Sequence, residues 1–306
     1  MTFQDGGRFG GGRVRSQRGG GRGPGGRGGG RRGGAVGGGV GVIVVLIGYL
    51  VFGQDLSPVV DGLSSGGGTV GGAAQEQLLG ECTAEQANTT RECRLVATVD
   101  ANDTYWGEVL PSLGVGYVEP DVVEFTGGVD TGCGAASSAT GPFYCPADQT
   151  VYLDLGFYDD LQGRFGASGG SLAQIYVLSH EFGHHIEQLT GLMDAAQRGG
   201  TGPESDSVRI ELTADCLAGM LVGHLASTVD PDTGVTYLEP ITEQELADAL
   251  SAASAVGDDR IQAQATGTVN PEAWTHGSSE QRQRWFTVGY TGGSFDECNA
   301  LDAAEL

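Results

Sequence analysis

The chain contains no lysine, and beyond residue 34 it has few cations of any kind: eight Arg stand there against thirty-eight Asp and Glu. The missing lysine reads as base bias rather than chemistry. The missing positive charge has a consequence. A body carrying a net charge near −30 repels phosphates, which excludes nucleic acid as a partner of the globular part. No cysteine precedes residue 82. All six (Cys82, Cys93, Cys133, Cys145, Cys216 and Cys298) lie in the acidic body, and an even number suits three disulfides in an oxidising compartment. Fifteen pairings are possible; proximity favours Cys82–Cys93 and Cys133–Cys145, leaving Cys216–Cys298. Histidine is scarce too, with five in the chain. An H-E-x-x-H string therefore arises by chance in about one such chain in two hundred.

The cations that exist are concentrated at the start. Residues 1–34 hold eight Arg and one acid, Asp5, among repeated Gly. That composition cannot bury a core and predicts a disordered cytoplasmic tail. Its Arg-Gly repeats could bind RNA, but attraction to anionic lipid is the favoured reading. Residues 35–53 (AVGGGVGVIVVLIGYLVFG) are uncharged and apolar. At about 1.5 Å per residue they are just long enough for a single transmembrane helix. A cleaved signal peptide is the alternative, though the run exceeds the usual length of such a core. The Arg-rich flank places the N-terminus in the cytoplasm. The expectation is thus a single-pass bacterial cell-membrane protein with an extracytoplasmic domain. Residues 54–80 read as a Gly/Ser-rich linker, and residues 81–306 as the globular domain.

Within 81–306 the pattern is α+β and mostly helical. A first helix opens over Thr83–Asn88 and resumes through Ala97–Leu110. Val122–Phe125 and Thr150–Leu155 alternate as short strands, and the Gly- and Ser-rich stretch from Cys133 to Cys145 reads as a stapled loop. Leu172, Ile175, Phe182, Ile186 and Leu189 define the core face of a helix from Ser171 to about Leu192. A second helix spans about Ser205 to Ala226. Thr242 with Glu245, and Ser278 with Gln281, are capping boxes that open two more.

The chemistry sits on the two long helices. His180-Glu181-Phe182-Gly183-His184 places two imidazoles on one helical face, with Glu181 one position on as a general base for a metal-held water. A catalytic zinc needs a third ligand and one open position. Glu211 supplies that ligand from the second helix, and Asp215, four residues on, can accept the outer N–H of a ligating histidine. A solvated acidic face is the blander reading, but both carboxylates stand in an otherwise apolar helix, where burial without a metal is costly. No fourth protein ligand is found, which argues against a closed structural site. His276, just before a helix N-terminus, is expected to be a neutral hydrogen-bond donor to the developing oxyanion rather than a ligand. A surface-turn role is its alternative. His185 and His224 point away from the site. The Tyr152 strand is a candidate edge that an extended peptide could join.

Several strings resemble the bacterial neutral zinc metallopeptidase family: His180-Glu181-Phe182-Gly183-His184-His185, Glu211 through Gly219, Thr275 through Arg282, Phe143-Tyr144-Cys145-Pro146, and Thr150 through Asp154. The resemblance covers roughly residues 81–295. It implies a zincin-like peptidase domain outside the cytoplasm, behind a basic tail and one membrane span. The wider gluzincin pattern implies Glu211 as third ligand and Asp215 beside His180. The leading expectation is therefore a peptidase with one Zn2+ per chain, acting on a peptide or protein substrate. A catalytically weak zinc domain that binds a cell-envelope partner is the alternative.

Overall fold

Thr83 starts the helical part of the chain. Its hydroxyl accepts the Gln86 N–H and its own N–H donates to the Gln86 side chain, a capping box that opens α1 (Ala84–Thr89). Thr90 then caps α2 (Arg91–Ser112). Among the described residues the remaining helices are α3 (Phe157–Gly163), α4 (Ser171–Thr190), α5 (Leu192–Ala195), α6 (Asp206–Leu225), α7 (Glu243–Ala255), α8 (Asp258–Thr266) and α9 (Ser279–Tyr290). The boxes at Thr242–Glu245 and Ser278–Gln281 both form. Helix α8 escaped the sequence pattern for a plain reason: it buries only Asp258 and so carries no apolar stripe. The computed structural model describes residues 2–18, 75–197 and 199–306.

Helix α4 runs through the core, with Leu172, Ile175, Phe182 and Ile186 all fully buried. It packs against α2, α6 and α7, and α9 packs on α6 and α7. Two glycine contacts set these spacings. A Cβ on Gly183 would lie 2.9 Å from both the Cα and the carbonyl oxygen of Ala214, so its absence lets α6 approach α4 where the candidate site lies. A Cβ on Gly289 would lie 1.9 Å from the Cys216 carbonyl oxygen, so α9 also meets α6 backbone to backbone.

Among the described residues the strands are β1 (Arg8–Phe9), β2 (Val14–Arg18), β3 (Gln75–Leu78), β4 (Cys82–Thr83), β5 (Asp121–Thr126), β6 (Gly128–Thr131), β7 (Gly134–Ser137), β8 (Phe143–Cys145) and β9 (Thr150–Leu153). Five form one mixed sheet in the order β3-β2-β5-β9-β8, with β2, β5 and β9 parallel. The Tyr152 strand is therefore not an edge: β9 lies between β5 and β8, and β8 is the edge strand on that side. The stretch from Cys133 is not a plain loop either. It supplies β7, which pairs with the preceding β6 in a hairpin whose turn holds Cys133, tied to Cys145 at the end of β8. The other disulfides are Cys82–Cys93 and Cys216–Cys298, and no cysteine is free.

The N-terminal expectation is corrected. Residues 2–18 are not a disordered tail: Phe3, Phe9 and Val14 are buried in the core, and β2 pairs on one side with β3 and on the other with β5. The domain thus draws on residues well before 81. The expected transmembrane helix, residues 35–53, lies outside the described residues, as does most of the 54–80 linker. Among the described residues no helix is long and apolar enough to cross a membrane. Moreover, Arg18 and Gln75 are register partners on neighbouring strands. A single crossing between them would put these two partners on opposite sides of a membrane. The single-pass location read from the sequence is withdrawn on these grounds.

Candidate metal centre

Helix α4 sets His180 and His184 one turn apart, with ring centroids separated by 4.8 Å. Close packing at Gly183 brings Glu211 across from α6. Its Oε2 lies 3.3 Å from His180 Nε2 and its Oε1 lies 3.6 Å from His184 Nε2. One ligand atom from each residue falls within 4.8 Å of the others, and among the described residues no other such group of His, Cys, Asp and Glu forms. Metal–ligand bonds of about 2.0–2.1 Å in a tetrahedron separate neighbouring ligand atoms by roughly 3.3 Å. Two imidazoles and a carboxylate at these spacings can hold a metal ion and suit zinc, with room for a fourth ligand.

Each imidazole is held from behind by a buried carboxylate. His180 Nδ1 lies 2.9 Å from Asp215 Oδ1, and His184 Nδ1 lies 2.8 Å from Glu187 Oε2. An ionised carboxylate only accepts, so each Nδ1 carries a proton, and each Nε2 faces Glu211 as the atom that can bind a metal once its own proton has left. Asp215 has no solvent exposure. It also accepts from Tyr176 Oη at 2.6 Å and from Arg282 through Nε at 2.8 Å and Nη2 at 2.9 Å. Sequence reasoning found Asp215 but missed Glu187, Tyr176 and Arg282. The first two were detectable: Glu187 is three residues after His184 and Tyr176 four before His180, both on the ligand face of one helix. Arg282 comes from α9, and nothing local to it pointed to α6.

The electrostatics follow from burial and these partners. Burial lowers the pKa of His180, but the Asp215 charge and hydrogen bonds to Asp215 and Glu211 outweigh it and carry the ring up to about 10. His184 is likewise disfavoured as a cation by burial and raised overall by Glu187 and Glu211. Burial would raise Glu211, yet His276, His184 and His180 hold it well below the usual carboxylate range. The site is therefore a negative potential aimed at the two Nε2 atoms, which favours any cation there. Glu181 is buried beside it, and burial raises its carboxyl against the opposing pull of His180 and His184. Glu187 is pushed by burial up to about 7.

His276 lies outside the three-residue cluster, in the turn before α9. Asp258 Oδ2 accepts the backbone N–H groups of Thr275 and His276 at 2.7 Å each and of Gly277 at 3.2 Å, and Asp258 Oδ1 lies 3.3 Å from the His276 Nδ1. The expected neutral imidazole faces two acidic neighbours here. Burial lowers its pKa, but the Glu211 charge and the Asp258 contact raise it overall. His185 is fully buried, with Nε2 2.6 Å from the Val118 carbonyl and Nδ1 2.9 Å from Tyr144 Oη. His224 Nδ1 contacts the Met220 carbonyl at 2.7 Å. Both are structural.

Comparison with known proteins agrees with this geometry. A family model described as "Putative neutral zinc metallopeptidase" matches residues 1–301. The chain belongs to this family. It is 49% identical over 229 residues to the uncharacterised protein Rv2575 of Mycobacterium tuberculosis, covering 74% of this chain and 77% of the relative. It is 37% identical over 265 residues to the uncharacterised protein YpfJ of Escherichia coli, covering 85% of this chain and 84% of the relative. No solved structure matches the chain significantly. The family match begins at residue 1, which accords with the packing of residues 2–18 into the domain.

Proposed function

We propose that this member of the family is a zinc-dependent peptidase of the H-E-x-x-H type with a zincin-like arrangement of its site. His180, His184 and Glu211 would hold one Zn2+. The observation that carries the reading is the convergence of His180 Nε2 and His184 Nε2 on the two Glu211 oxygens, each ring backed by a buried carboxylate. Bound zinc supplies Lewis acidity, polarising a scissile carbonyl and acidifying a water.

The chain's own residues do the rest. Glu181, buried and raised, takes a proton from the attacking water and delivers it to the leaving amine. Asp215 and Glu187 keep the two imidazoles in the Nδ1–H form. Arg282, bidentate to Asp215, keeps that carboxylate ionised and fixed in place. His276 stabilises the oxyanion as a hydrogen-bond donor and not as a zinc ligand. The substrate class is a peptide or protein, and β8, the sheet edge beside α4, is the strand available for backbone pairing with an extended substrate.

The test is metal content together with peptide-library cleavage on the full chain, with and without chelator. One zinc per chain and chelator-sensitive cleavage are expected. Zinc bound at this site without cleavage of any peptide or protein would favour a zinc-binding domain instead, and absence of stoichiometric zinc would sink both readings.

A further inference from the structure

We propose that residues 2–18 are a docked peptide that the remainder of the molecule holds without the covalent link, so that the chain cut between Arg18 and Gln75 stays one folded unit. The occupant is the chain's own N-terminal segment, and the surface it fits is the slot between β3 and β5 together with the apolar seat below Tyr237.

Three kinds of contact carry this. The first is apolar anchoring. Phe3, Phe9 and Val14 are at most 1% exposed, Phe3 meets Phe9 edge to face at 5.4 Å, and Phe9 stacks on Tyr237 at 5.9 Å. Large side chains so fully removed from water, in a segment this short, act as anchors rather than as incidental contacts. The second is backbone pairing on several sides. β1 pairs with β4, and β2 pairs with both β3 and β5. Gln4 N–H donates to the Tyr237 carbonyl and Glu239 N–H to that of Thr2, each at 3.0 Å. The Asn88 side chain accepts from Phe3 N–H at 2.9 Å and returns a bond to the Phe3 carbonyl at 3.0 Å. A strand paired on both edges satisfies its backbone as an internal strand does, and pulling it out exposes two unpaired edges at once.

The third is charge. Arg13 pairs with Asp103 and Glu119, and Arg15 lies 2.7 Å from Asp121. A segment carrying Arg8, Arg13, Arg15 and Arg18 against the single acid Asp5 docks on a body in which acids far outnumber bases. Attraction of this kind speeds docking and weakens with salt. The contacts reach α1, α2, β3, β4, β5 and the strand-like stretch at Tyr237–Glu239. No single element holds the segment, and no tether is needed to explain its place. Its influence also approaches the metal helix: Arg13 donates to the Pro120 carbonyl, two residues from Val118, whose carbonyl faces His185 on α4.

The test uses the full chain with a specific protease recognition sequence inserted between Gly66 and Gly67, cut after folding. Gel filtration in native buffer, followed by mass spectrometry, reads whether the two pieces travel together. The N-terminal piece is expected to co-elute with the body in native buffer, to separate in denaturant, and to rebind more slowly in high salt. Free N-terminal piece beside a body that keeps its native elution volume would overturn the proposal. In a second chain, Phe3→Ser with Phe9→Ser, cutting should release the piece into the free fraction. Retention there as firm as in the parent would show that the apolar anchors are not what holds it, and would overturn the proposal too. Should that variant fail to fold before cutting, the parent chain alone decides. None of these readouts depends on zinc or on peptide cleavage, so the outcome is independent of the peptidase reading.

Discussion

Glu181 and His180 occupy adjacent positions on α4, yet substitution should separate their roles. Glu181→Gln keeps shape and removes the base; it should leave zinc content at one per chain and lower kcat by at least about 10²-fold. Zinc-loaded Gln variant cleaving peptides at the parental rate would end the general-base assignment. His180 carries a pH prediction. Without metal its ring stays protonated up to about 10, because Asp215 and Glu211 outweigh burial. That second proton sits on Nε2, where zinc must bind, so zinc and proton compete. Apparent zinc affinity should rise about tenfold per pH unit between 7 and 9 from this residue alone. The sign reverses for the chelated protein. A folded pKa raised above the unfolded value of about 6.5 stabilises fully below that value and is lost as pH rises through about 10. Titration calorimetry in buffers of different ionisation heat reads the protons released; no release on zinc binding near pH 7.5 would refute the competition. At this scale most of the cluster was legible in the sequence. His180, His184 and Glu211 share faces set by spacing four and by two helices with apolar stripes. The supporting shell was legible only where it is local. Arg282 reaches Asp215 from a helix sixty-seven positions along the chain, a distance that helical periodicity does not see.

The elements meet where side chains are missing. Gly183 stands in the middle of α4, where alanine would gain about 1 kcal/mol of helix propensity. A Cβ there would lie 2.9 Å from the Ala214 backbone, which cannot swing aside. Overpacking of this kind costs about 1–3 kcal/mol. Gly183→Ala should therefore destabilise the protein by up to about 2 kcal/mol net and push α6 outward, weakening zinc binding through Glu211. A Tm equal to or above the parent's would show that the two helices have slack between them. The long helices and their caps were readable because each carries its signal within itself: a capping residue, an apolar stripe and, for α4, Gly191 at φ 81°. The strand β2 was not readable. Val14-Arg15-Ser16-Gln17-Arg18 has one apolar residue, lies among Gly and Arg, and finds its partners beyond residues 75 and 121. Ser16, buried and hydrogen-bonded to Glu124, turns an apparently polar tail into an internal strand. Composition signalled a tail because the residues that pair with it are distant in sequence.

At the scale of the whole molecule, the C-terminal segment is fastened to the helix that carries Glu211 and Asp215. Cys298 is bonded to Cys216 on α6, one position after Asp215, and both are fully buried. Arg209 adds hydrogen bonds to the Ala300 and Ala303 carbonyls at 2.6 and 2.8 Å, and Thr213 Oγ1 accepts from Ala300 N–H at 3.0 Å. The sequence separation of this disulfide is 82, against 11 and 12 for the other two. If a cross-link acts mainly by restricting the unfolded chain, the long loop should dominate: about 4–4.5 kcal/mol, against somewhat under 3 for each short one. The paired substitution Cys216→Ser with Cys298→Ser should then cost more than Cys133→Ser with Cys145→Ser, by about 1.5 kcal/mol in denaturant unfolding. Packing supports the same order, since Cys216→Ser and Cys298→Ser bury two hydroxyls in the core, whereas of the short-loop pair only Cys145 is fully buried. Separating the two causes needs a third measurement, the Cys216→Ala with Cys298→Ala pair, which removes the cross-link without adding hydroxyls. If the alanine pair costs no more than the short-loop pair, loop entropy is not what the long disulfide contributes. Its role would then be local, holding residues 298–303 against α6 where the Arg209 and Thr213 contacts already lie.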